Sequence, residues 1–154
     1  MAEILKGVRI LDLSQSIAGP YGTLVLGDLG AEIIKIENPE RGDLSRNLRQ
    51  YTHKGERAYY LSLNRNKKSL TLNFRNPKAR ETFYELVKIS DVVYDNFRSG
   101  MLERFKVDYE SLVAKIGVPS RSGSQGASLG ILRRCFLCGW GGNKQPRLPR
   151  RKKK

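Results

Sequence analysis

The chain has 154 residues, 29 of them Lys or Arg against 15 Asp or Glu, for a formal charge of +14. That length fits one domain, and the charge invites the reading of a small basic nucleic-acid binder. The apolar runs are far too short for a membrane-spanning helix, which excludes a span of that kind, and no secretory signal is visible, so a cytoplasmic location is expected.

In chain order, Val8–Ser14 (VRILDLS) reads as a buried strand of aliphatic and β-branched residues. Ala18-Gly19-Pro20 marks a turn, with Pro20 suited to a helix's first turn. A helix over Tyr21–Leu29 follows, with Leu24, Val25 and Leu29 as its apolar positions and Gly30 as its stop. Glu32–Glu37 (EIIKIE) is a second strand, which completes a βαβ unit.

Asn38–Arg57 is polar and reads as a long loop, a length that is usually functional. Tyr59–Leu63 and Ser69–Phe74 read as strands on either side of Asn64–Lys68 (NRNKK). Asn76-Pro77 opens a helix whose apolar positions are Phe83, Leu86, Val87 and Ile89. Asp91–Asn96 is the next strand. Ser99–Phe105 and Tyr109–Lys115 are short helices, the second capped by Asp108.

This alternation predicts an α/β fold with a mostly parallel sheet flanked by helices. Such sheets bind ligands at the carboxyl ends of their strands. That rule singles out Ser14–Tyr21, Asn38–Asp43 and Asn96–Gly100.

The charge is unevenly spread. All 15 acidic residues lie in Met1–Lys115, together with 19 basic ones, for a net +4. Ile116–Lys154 has ten basic residues and no acid, for a net +10. At the acid density of the first part about five acids would be expected there. This tail is rich in glycine and proline and poor in apolar residues, which predicts disorder.

Each candidate motif has a competing plain explanation. The Ala18-Gly19-Pro20 turn could cradle an anion at a helix N-terminus, or be an ordinary turn. It is no dinucleotide fingerprint, since no G-x-G-x-x-G is present, although Glu37 sits where such folds place a ribose-binding acid. Asn96-Phe97-Arg98 with Arg104 could hold an adenine ring and phosphates, or form a solvated charged face. Asn64–Lys68 could contact phosphate or nucleic acid, or be a solvated connection. The sole histidine, His53, has no companions that suggest a catalytic triad. Cys135 and Cys138 are half of a zinc ribbon without its second half, so no metal site is expected.

The string as a whole resembles the amino-terminal part of the family III CoA-transferases. The residues that carry the likeness are Gly7–Leu13, Ala18-Gly19-Pro20, Gly27–Glu37, Gly42-Asp43, Tyr60–Ser69, Asp91–Phe97 and Gly100 to Arg104. The resemblance covers about residues 5–115. It implies a Rossmann-like domain within a longer chain and an interlocked homodimer. It also implies transfer of CoA from an acyl-CoA to a carboxylic acid through an aspartyl mixed anhydride.

By position, the family's coenzyme A contacts fall on Ile17, Ala18, Asn38, Leu72, Asn73, Phe74, Arg75, Asn96, Phe97, Arg98 and Arg104. Asn38 replaces a common arginine, and Ile17 has no polar side chain. The likeness stops at Ile116. No residue matches the family's nucleophilic aspartate, so the catalytic set is empty.

The sequence is therefore divided into 1–115, the amino-terminal part of a CoA-transferase large domain, and 116–154, a basic tail. Out-of-frame translation from near the Lys115 codon is expected to explain that tail. On this view the truncated chain is inactive. Two other readings stand beside it. One is a nucleic-acid or acidic-membrane-surface binder that uses Arg133–Lys154. The other is a dinucleotide-binding module that uses Glu37.

Overall fold

The computed structural model describes residues 3–47 and 51–116. Four parallel strands form the sheet: β1 (Arg9–Asp12), β2 (Glu32–Glu37), β5 (Lys67–Thr71) and β6 (Val92–Tyr94). Their order is β5-β2-β1-β6, so β1 and β2 are central. Helix α1 (Ala18–Asp28) joins β1 to β2, and α3 (Pro77–Lys88) joins β5 to β6 on the opposite face. The chain thus builds outward on one side of β1 and then returns to the other side. That reversal makes the carboxyl ends of β1 and β6 a topological switch point, where sheets of this kind hold ligands.

Each face has its own core. On one, Leu11, Leu13 and Ile36 meet Phe83 and Val87 of α3, Val107, and Leu112 of α5 (Tyr109–Ile116). Phe74 stands edge-on to Phe83, with ring centroids 5.1 Å apart. On the other face Ile10, Ile33, Val92 and Tyr94 pack beneath α1 and Leu26. Toward the carboxyl ends this second face becomes ionic, because Asp12, Lys35 and Glu37 are all buried there.

Local rules account for several boundaries. Gly30 ends α1 with φ +101°, a conformation that an L side chain would strain. Asn76 caps α3 by accepting the Lys78 amide at 3.0 Å, with Pro77 at the first position. Asp108 caps α5 by accepting from the Ser111 amide at 3.1 Å. The short helix α4 (Met101–Phe105) precedes it.

Four expectations need correction. Tyr59–Leu63 is not a strand but lies in helix α2 (Ala58–Asn64). Its residues mimic a period of two, yet Tyr60, Leu63 and Asn64 are the buried ones, the spacing of a helix face. The Asn38–Arg57 loop contains a 3-10 turn over Leu44–Asn47 and a small hairpin, β3 (Thr52–His53) with β4 (Glu56–Arg57). The Ser69–Phe74 strand instead runs over Lys67–Thr71, because Lys67 is anchored beneath α1. Of the apolar positions assigned to the first and third helices, Leu24, Phe83 and Val87 are buried, while Val25, Leu29 and Ile89 are exposed. The tail reading lies outside the described residues, apart from Ile116, which ends α5.

Candidate functional site

A cleft of about 290 Å³ opens at the carboxyl ends of the strands. Leu13 and Gln15 from the loop after β1 line it, with Asn38, Arg41 and Gly42 from the loop after β2. Leu72, Asn73, Phe74 and Arg75 come from the loop after β5, and Phe97, Met101, Arg104 and Phe105 from the segment after β6. Asn38, the Leu72–Arg75 run, Phe97 and Arg104, all expected from the sequence, therefore share one cleft. Asn96 is tied to its wall: it accepts the Gln15 amide at 2.8 Å and donates to the Gln15 carbonyl at 2.9 Å. Ile17 and Ala18 are exposed in the turn that continues from Gln15. Arg98 lines a separate hollow of about 300 Å³ between β6, α4 and α5.

The electrostatics of the cleft follow from which cations already have partners. Lys35 pairs with Asp43 at 2.7 Å and Lys67 with Asp12 at 3.0 Å, and all four side chains are at most 1% accessible. Lys67 also donates to Thr23 and to the Pro20 carbonyl, which uses all three of its N–H donors. Arg46 pairs with Glu37 at 2.8 Å and lies 3.6 Å from the Tyr60 ring centroid. Among the described residues, Arg41, Arg75 and Arg104 line the cleft with guanidiniums that make no ion pair or hydrogen bond. Phe74, Phe97 and Phe105 add apolar surface beside them.

Loop chemistry holds this shape. Asn38 accepts the amides of Glu40 and Arg41 at 2.9 and 3.2 Å, so its side chain shapes the turn that carries Arg41. Arg80 donates to the Phe74 carbonyl at 2.8 Å and anchors the loop after β5. Gly19 is required by close approach: a Cβ there would lie 2.4 Å from Ser14 Cβ and 2.9 Å from Asn96 Cγ. Ala18-Gly19-Pro20, the first residues of α1, thus fit tightly against the segments that follow β1 and β6. Ile17, at the N-cap, supplies no side-chain hydrogen bond to the first amides of α1.

Two alternative assignments lose their residues. Glu37 is only 5% exposed. Its oxygens accept from Arg46 twice, from the Tyr60 hydroxyl and from the Asp43 amide, which leaves no lone pair directed at a ribose. Burial opposes its ionisation, but Arg46 and Tyr60 outweigh that and hold its pKa below the usual value. The same burial and the Glu37 contact push the Tyr60 hydroxyl pKa well up. In the Asn64–Lys68 stretch, Lys67 is buried and serves the fold, while the exposed Arg65 and Lys68 form surface pairs with Asp28 and Glu32. The proposed use of Arg133–Lys154, like Cys135 and Cys138, lies outside the described residues.

Sequence reasoning missed the buried pairs. The usable signal was Lys35 itself: in EIIKIE it falls in phase with Ile33, on a strand covered on both faces, where a lysine requires a buried acid.

A parallel sheet of this order, with helices on both faces and a cleft at its carboxyl edge, defines an open α/β protein of the doubly wound class. The family model of CoA-transferase family III matches residues 5–116, and the chain belongs to that family. It is 44% identical over 108 residues to the human succinyl-CoA:glutarate CoA-transferase, covering 70% of this chain and 25% of that protein. It is 40% identical over 112 residues to the formyl-CoA:oxalate CoA-transferase of Afipia carboxidovorans, covering 73% and 26%. A CAIB/BAIF family protein from Brucella suis shares the fold, with a TM-score of 0.65 and 40% identity over 71% of this chain and 30% of that one. The chain spans about a quarter of the length of the curated relatives it matches. The comparisons give no support to the nucleic-acid, membrane-surface or dinucleotide readings.

Proposed function

We propose that this chain forms the coenzyme A-binding part of a CoA-transferase. Its contacts are Ile17–Ala18, Asn38, Leu72–Arg75, Asn96–Arg98 and Arg104, with Arg41 taking the role of the arginine that Asn38 replaces. The observation that carries this reading is the set of unpaired guanidiniums, Arg41, Arg75 and Arg104, around one cleft at the carboxyl edge of the sheet. Coenzyme A carries a diphosphate and a ribose phosphate, and guanidinium matches phosphate oxygens two at a time. The phenylalanines beside them offer faces for the adenine.

In the whole protein the coenzyme arrives as an acyl thioester and leaves on a carboxylic acid. The relatives' names fit that class, with glutarate and oxalate as acceptors. The interlocked homodimer of the family belongs to the same proposal. Among the described residues, the carboxylates lining the cleft are Glu37, which is already saturated, and Glu40, which is exposed in its turn. On this proposal the described residues contribute the coenzyme contacts, and another part of the whole protein contributes the nucleophile. The family match ends at residue 116, and no acidic residue follows Glu110. Both facts support translation of residues 116–154 out of frame.

Isothermal titration of the 154-residue chain with coenzyme A tests this proposal. Saturable binding that weakens with salt and is not displaced by NAD is expected. No heat of binding at millimolar coenzyme A overturns it.

A further inference from the structure

We infer that Asp43 is the positioning residue of the Gln15–Ser16–Ile17 turn, and that through this turn it sets the geometry of the coenzyme cleft. The inference rests on reading that cleft as the coenzyme A site.

The turn leaves β1 in a conformation it would not keep alone. Ser16 has φ +70°, a left-handed value that a non-glycine residue adopts only when its surroundings hold it there. Side chains from other segments supply that hold. The Ser14 amide donates to Asp12 at 2.9 Å, and the Ser14 carbonyl accepts from Lys35 at 2.8 Å. Both backbone groups of Gln15 bond to Asn96. The amide of Ser16, the strained residue itself, donates to Asp43 Oδ1 at 3.0 Å.

Asp43 can act as a fixed post because it is itself clamped. Its Oδ1 also accepts the Ser45 amide at 2.8 Å and the Ser45 hydroxyl at 2.7 Å. Its Oδ2 lies 2.7 Å from Lys35 Nζ, and its side chain has no solvent exposure. One carboxylate thus couples the loop after β1, which supplies Gln15 to the cleft, with the loop after β2, which supplies Asn38 and Arg41. No coenzyme contact is assigned to Asp43; it acts through the backbone of Ser16.

Two charge-free, shape-matched double variants of the full chain both lose the Lys35 bond to Ser14 and differ in whether residue 43 keeps an oxygen acceptor for Ser16 and Ser45. Asp43→Asn with Lys35→Met keeps an oxygen acceptor for the Ser16 amide. Asp43→Leu with Lys35→Met removes it. Because both have lost the Lys35 bond to Ser14, they are compared with each other, and the second should bind coenzyme A about tenfold or more weakly than the first. Amide hydrogen exchange at Ser16 should quicken about tenfold in the second variant alone. Equal affinity and equal Ser16 protection in both variants overturn the inference. If the parent binds no coenzyme A, the functional reading fails, while Ser16 exchange still decides the positioning role. Should the Leu variant not fold, Asp43→Glu keeps the charge but displaces the oxygen. Lost affinity at an unchanged unfolding midpoint then supports the role, and parental affinity contradicts it.

Discussion

Lys67, on the edge strand β5, reaches across β2 to place its ammonium 3.0 Å from the Asp12 carboxylate of β1. Both side chains are almost wholly inaccessible, at 1% and 0%. The pair lies directly under the first turns of α1, where Thr23 donates to the same carboxylate at 2.6 Å. One charged contact thus fastens the edge strand, the central strand and the helix that begins beside the cleft. Burial, helped by the nearby Lys35 charge, pushes the Lys67 pKa down, with Asp12 acting against it.

Removing one member of that pair strands the other in a low-dielectric interior. Lys67→Met should cost about 3 kcal/mol of unfolding free energy, measured by urea denaturation. The double change Lys67→Met with Asp12→Leu should be less damaging than Lys67→Met alone, because the stranded charge is gone. A single variant within about 0.5 kcal/mol of the parent would show that the pair contributes little to holding the three elements together.

The unpaired arginines carry the binding prediction. Arg75→Ala and Arg104→Ala should each weaken coenzyme A binding about tenfold, and each should reduce its dependence on salt. Arg65→Ala serves as the control, since Arg65 is committed to Asp28 at the far end of α1. Titration calorimetry at two salt concentrations separates these outcomes. An equal loss in the Arg65 variant would point to general charge instead of a site.

Stability should fall in acid through two buried carboxylates. Burial works against ionisation of Asp43, but the Lys35 charge and the Ser45 bonds outweigh it and keep its pKa low. Glu37 is held low by Arg46 and Tyr60 against its own burial. A carboxyl with a depressed native pKa stabilises the fold above its unfolded value and loses that contribution as pH falls through the native value. Unfolding midpoints should therefore be level at neutral pH and drop below the ordinary values of 4.5 for Glu37 and 3.8 for Asp43. Asp95 runs the other way, since burial raises its pKa, and it offsets part of the loss. In the Asp43→Asn, Lys35→Met variant the decline should be shallower; an unchanged slope would remove Asp43 as a source.

The boundary at residue 116 has a genetic test. Reading the gene past the Lys115 codon in all three frames should reveal further CoA-transferase sequence in a frame other than the translated one. An uninterrupted frame with no such sequence downstream would leave the basic tail as a genuine extension.

The sequence made the sheet legible because β1, β2 and β6 are short aliphatic runs bounded by turn residues, and α3 has an apolar stripe behind a capping Asn-Pro. Helix α2 was not legible, because Tyr60 is buried through a hydroxyl bond to Glu37, a partner more than twenty residues away. The cleft's position followed from the alternation of strands and helices, Arg104 was a candidate beside Asn96-Phe97-Arg98, and the resemblance supplied Arg75. Arg41 lay in the loop Asn38–Asp43 that the strand-end rule singled out but was not distinguished within it, because its importance depends on which other cations are already paired. That sorting exists only in three dimensions: Lys35, Lys67 and Arg46 look as available in the sequence as Arg41 does.

The most direct test of the central claim is a map of where coenzyme A touches the chain. Titration of the isotopically labelled protein, followed by amide NMR shifts, gives that map. Shifts concentrated at Gln15–Ala18, Asn38–Gly42, Leu72–Arg75, Asn96–Arg98 and Arg104 are the predicted result. Shifts confined to other segments, or none at saturating coenzyme A, would contradict it.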